Sequence, residues 1–70
     1  MNNIKNIELG REIKTLRRKR GITQERLAEL IETSYKYVQR IEGKNPPDVR
    51  LSTIVRLAKA LKVKPAELLK

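Results

Sequence analysis

The sequence predicts an all-α fold, a compact bundle of five helices, and three observations carry that expectation. Apolar residues recur at three-to-four spacing along most of the chain, as in Leu9, Ile13 and Leu16. No stretch alternates apolar and polar residues for long enough to be a strand. Short breakers separate the periodic segments: Gly21, Glu32-Thr33, and Asn45-Pro46-Pro47-Asp48.

Each helix has its own signals. The first is expected from about Asn6 to Arg20; its basic last turn, RRKR, suits the negative end of the helix dipole, and Gly21 is able to end it in the left-handed conformation. Thr23 is a good N-cap for a second helix, TQERLAELI, although Arg26 at the third position leaves the reciprocal capping box incomplete. Leu27, Ala28, Leu30 and Ile31 form its expected apolar face. Ser34 caps a third helix after an interruption too short for a free loop. In that helix Val38 and Ile41 face inward, which leaves Tyr35, Lys36, Gln39 and Arg40 outward. Two prolines end it. A fourth helix carries Leu51, Ile54, Leu57, Ala58 and Leu61, and Pro65 opens a short fifth one ending near Leu69.

Composition limits the function. Seventy residues make one domain, 1–70, near the lower size limit for independent folding. The chain has no Cys and no His, which excludes thiol and imidazole catalysis, disulfides and the usual zinc sites. Glu25, Glu29 and Glu32 read as charge balance for neighbouring cations, and no nucleophile is paired with a base, so no enzyme, cofactor or metal is expected. Lys and Arg number 17 against 8 Asp and Glu, a formal charge of +9 that attracts phosphate. A basic surface that only confers solubility, or a membrane surface as partner, are the competing readings. No spanning segment of about 18 apolar residues and no hydrophobic signal core is evident, so a cytoplasmic location is expected.

The two tyrosines, Tyr35 and Tyr37, are the only aromatic residues, and both lie in the third helix among polar groups. Helix, tight turn, helix at about 23–42, with an exposed polar face on the second member, is the geometry that lets a helix enter the DNA major groove. Lys36, Gln39 and Arg40 are donors long enough to reach base edges or phosphates, and the helix has no acid before Glu42. An ordinary helical hairpin with a solvated face is the bland alternative.

The segments GITQERLAE, SYKYVQRIEGK, LSTIVRLAKALKV and PAELL, in that order, resemble the Cro/repressor-type (Xre-like) helix-turn-helix DNA-binding family over about Leu9 to Leu69. The resemblance implies a lambda-repressor-like DNA-binding domain that binds double-stranded DNA as a homodimer on an inverted repeat, most simply as a repressor. It implies base reading by Tyr35, Lys36, Gln39 and Arg40, with Lys36 and Arg40 favoured for guanine. Phosphate contacts are implied for Gln24, and with it Thr23, Ser34, Tyr37, Lys44 and Asn45. Tyr37 is read equally as a filler between helices. Arg17 and Glu42 match a structural ion pair, which leaves Arg18, Lys19 and Arg20 as the free cations of that run. By the same resemblance Val63, Leu68 and Leu69 are dimer-face candidates, the alternative being that they complete the core.

Two departures stand out. Glu32 occupies a turn position that is often Gly in the family, and Glu42-Gly43-Lys44 is one residue shorter than the commoner spacing. The alternative function is a protein-interaction module, such as an antitoxin or coactivator-like component. No spare apolar stripe is evident to support it, nor any pocket for a small-molecule ligand. RNA is the second-ranked nucleic acid, because two tyrosines on a helix do not make a single-strand stacking platform.

Overall fold

A computed structural model describes residues 3–4 and 7–69, with side chains from Glu8 to Leu69. Its helices are α1 (Ile7–Lys19), α2 (Gln24–Leu30), α3 (Tyr35–Ile41), α4 (Leu51–Leu61) and α5 (Pro65–Leu68). These lie within a residue or two of the expected limits. The expected start of α1 at Asn6 lies outside the described residues.

Two short strands depart from the all-helical expectation: β1 (Asn3–Ile4) pairs antiparallel with β2 (Val49–Arg50), Asn3 opposite Arg50 and Ile4 opposite Val49. Two residues are too few to show an alternation, so periodicity does not reveal them. The pair ties the start of the chain to the entrance of α4.

Three helices end in the same way. Ile22 donates its N–H to Arg17 O and Gly21 to Arg18 O; Thr33 donates to Ala28 O and Glu32 to Glu29 O; Val63 donates to Ala58 O and Lys62 to Lys59 O. This is the Schellman pattern, which requires a left-handed residue. Gly21 supplies φ +67, but Glu32 and Lys62 each take φ +59 with a full side chain. At the other ends, Thr23 Oγ1 accepts from Arg26 N–H at 3.0 Å and Ser34 Oγ from Tyr37 N–H at 3.1 Å, satisfying first-turn donors of α2 and α3. At α5 the direction is reversed, and Glu67 Oε2 in the first turn accepts from the N–H of the preceding cap residue, Lys64.

Leu9, Ile13, Leu27, Ala28, Ile31, Val38, Ile41, Val49, Ile54, Leu57, Ala58, Leu61 and Leu68 form one buried core. Leu30 and Leu51 were expected inside but are 42% and 43% exposed. The apolar stripe of α2 and α4 is wider than the area their neighbours cover. Val55, also on α4, is 48% exposed, so apolar surface is available where no spare stripe was expected.

Helix α1 crosses close to the end of α3. A Cβ on Gly10 would overlap Ile41 O, so the glycine allows the two backbones to meet. Backbone contact of this kind fixes α3 relative to α1 more firmly than side-chain packing alone.

Candidate nucleic-acid interface

Helix α3 turns about 100° per residue, so Tyr35, Gln39, Lys36 and Arg40 occupy one arc of roughly 140°. All four are exposed, while Val38 and Ile41 on the opposite side are buried. Gln39 Nε2 donates to Tyr35 Oη at 2.9 Å, so ring and amide form a braced pair one turn apart. Among the described residues the side chains of Lys36 and Arg40 have no hydrogen-bond or ion-pair partner. Their charges are available to an outside acceptor.

Tyr37 is half-buried against the core, which corresponds to its filler reading. Thr23 and Ser34 are exposed at the starts of α2 and α3. Each spends an acceptor lone pair on its cap and retains its O–H as a donor. Lys44 and Asn45 are exposed in the connection after α3, where Pro46 is buried.

Behind this face lies a charged cluster. Arg17 donates Nε to Glu42 Oε2 at 2.8 Å, Nη2 to Glu42 Oε1 at 3.0 Å and Nη1 to Ile22 O at 2.8 Å. The Arg17 and Glu42 side chains are 10% and 2% exposed. Such two-point guanidinium–carboxylate bonding is directional as well as strong. Hydrogen bonding to Glu42 holds the Arg17 pKa above its ordinary value, against an opposing effect of burial. One buried group thus joins α1, the α1–α2 connection and the end of α3.

Gln24 Nε2 donates to Glu42 Oε1 at 3.0 Å, bringing α2 into the same cluster. This engagement was not anticipated: the amide expected to face phosphate is turned inward by its nitrogen. Arg20 also departs from expectation. Its Nε donates to Leu61 O at 3.2 Å, so it bridges to the end of α4 instead of standing free. Neither bond has a local sequence signal, since the partners are 18 and 41 residues apart. The dimer candidates also divide: Leu68 is buried and Val63 packs on the core, which leaves Leu69 at 42% exposure. Among the described residues no cluster of acids is suited to a metal ion, and no helix is long and apolar enough to cross a membrane.

Comparison with known proteins places this geometry. The family described as a helix-turn-helix domain matches residues 8–69. The restriction-modification controller protein C.AhdI from Aeromonas hydrophila is 35% identical, with 89% of this chain and 92% of that one covered and a TM-score of 0.82. The clp gene regulator ClgR from Corynebacterium glutamicum is 25% identical (TM-score 0.83), with 90% of this chain covered and 66% of ClgR. SinR, a master regulator for biofilm formation solved in complex with DNA, is 26% identical, with 89% and 98% covered and a TM-score of 0.74. Among curated proteins no sequence matches. The chain belongs to the helix-turn-helix family of DNA-binding transcription regulators of the Cro/repressor, or Xre-like, type.

Proposed function

We propose that this protein is a sequence-specific regulator that reads double-stranded DNA through the major groove, acting in the cytoplasm as a repressor by occupying a promoter. The observation that carries the reading is the exposed arc of Tyr35, Lys36, Gln39 and Arg40 on a helix held from behind by a buried ion pair. Lys36 and Arg40 are assigned to base edges, where bidentate donation to guanine O6 and N7 is the commonest specific contact. Tyr35, braced by Gln39, packs against a thymine methyl or bonds to phosphate. Thr23, Ser34, Lys44, Asn45 and the Tyr37 hydroxyl are assigned to phosphates. Gln24 joins them through its backbone N–H and the second N–H of its side-chain amide, which its bond to Glu42 leaves over. The DNA complex of SinR supports this assignment of ligand. The role is binding, without catalysis.

A seven-residue helix reads too few base pairs to find one site in a genome, which argues for a two-fold dimer on an inverted repeat. Leu51 and Val55, exposed and one turn apart on α4, are the surface we assign to the second copy.

The test is selection of binding sites from a random duplex pool, with the winning site titrated over a range of salt. An enriched inverted repeat with half-sites about one helical turn apart and a steep salt slope is the expected result. A flat pool refutes sequence reading and favours an antitoxin-like or coactivator-like module whose main partner is a protein.

A further inference from the structure

A groove of about 620 Å³ lies between the end of α1, the end of α2 and the outer side of α4. None of the residues assigned to DNA lines it. Its floor is apolar, with half-exposed Leu30 beside Ile22. Its walls carry Arg20, Arg56, Lys59 and Lys62, against the single carboxylate of Glu32.

The cations are arranged in a row. Arg56 and Lys59 are three apart, about one turn, on α4, and Lys62 follows as the left-handed residue just past the helix end. Among the described residues no ion pair or hydrogen bond occupies any of the three side chains. Arg20 is held in place by its bond to Leu61 O. The two non-glycine residues with left-handed backbone, Glu32 and Lys62, both line this groove.

We infer that the groove binds an acidic amphipathic helix of a partner protein: an apolar residue seats on Leu30, and carboxylates at three-to-four spacing meet the row of Arg56, Lys59 and Lys62. Charge complementarity selects this occupant. A helix with acids on successive turns can meet Arg56 and Lys59 and place a further acid towards Lys62, and its apolar side covers the one large hydrophobic residue of α2 that the fold leaves out. A second copy of the chain would bring its own +9 against four cations. The assignment does not depend on DNA reading, because the groove and the α3 face share no residue.

The test uses the full chain and a fluorescein-labelled helical peptide with Leu at three-to-four spacing flanked by Glu. A second peptide with Ser in place of each Leu serves as control. Binding is followed by anisotropy near physiological salt, and affinity for a random-sequence duplex is measured in parallel. In the expected result the Leu peptide binds more tightly than its control. Arg56→Glu with Lys59→Glu then weakens peptide binding about tenfold or more, and the duplex affinity changes far less. Leu30→Ser, which alters no charge, also weakens the peptide. The proposal is overturned if the Leu peptide does not bind, if the Ser peptide binds equally well, or if either variant binds the peptide like the unmodified chain. A duplex affinity that falls as far as the peptide affinity also overturns it and makes the groove part of the DNA footprint.

Discussion

Replacing Glu42 with alanine removes three hydrogen bonds at once. Its carboxylate accepts from Arg17 Nε, Arg17 Nη2 and Gln24 Nε2 at 2.8, 3.0 and 3.0 Å, with its side chain 2% exposed. Arg17 is then left with Ile22 O alone, a full positive charge at 10% side-chain exposure facing one neutral acceptor. Breaking a buried pair by removing one partner costs about 3 kcal/mol or more, because the survivor is desolvated without compensation. At this chain length that corresponds to a fall in Tm of roughly 12–24 °C, read by circular dichroism at the helical band. The double replacement Arg17→Met with Glu42→Leu removes both charges together and should lie well above Glu42→Ala in Tm. A fall of less than about 4 °C for Glu42→Ala, or a double variant no better than the single one, would refute the view that the pair braces α3.

The other expectations concern backbone and reading. Glu32→Gly relieves a left-handed residue strained by roughly 1–2 kcal/mol, offset in part by glycine's freedom in the unfolded chain. It should raise Tm by a few degrees and leave DNA binding intact, and a lower Tm contradicts it. Gly10→Ala drives a methyl into Ile41 O and should destabilise by about 1–3 kcal/mol despite alanine's better helix propensity; a higher Tm rules out the close approach. Arg40→Ala should weaken the selected site by about 1–3 kcal/mol and relax preference at one or two base pairs, as measured by competition titration. Gln24→Ala should weaken all duplexes alike and also lower Tm, because it withdraws a donor from Glu42; neutrality of both Arg40→Ala and Lys36→Ala removes the base-reading assignment.

Much of the helical framework is legible along the chain because its signals are local. Ser34 announces the start of α3 within three residues of the N–H it caps, and Pro65 does the same for α5 by its fixed φ. What is not legible depends on partners far away in sequence. Nothing near Arg20 indicates that Leu61 O awaits it, and nothing near Gly10 shows that Ile41 comes so close. Leu30 and Leu51 illustrate another limit. Spacing shows which face of a helix is apolar, but how much of that face is covered depends on neighbours that spacing does not describe. At the candidate interface the outward set is set by the phase of α3, whereas the inward turn of Gln24 is a tertiary event.

The meeting of Gly10 with Ile41 has an evolutionary consequence. A helix whose far end abuts another backbone has little room to move towards it when its outer side chains are exchanged. Tyr35, Lys36, Gln39 and Arg40 therefore behave like interchangeable type in a rigid printing frame: they are open to substitution while Val38, Ile41 and the buried pair keep the frame square. Under the proposed reading, descendants of this chain acquire new operators by changing four letters without retuning the fold.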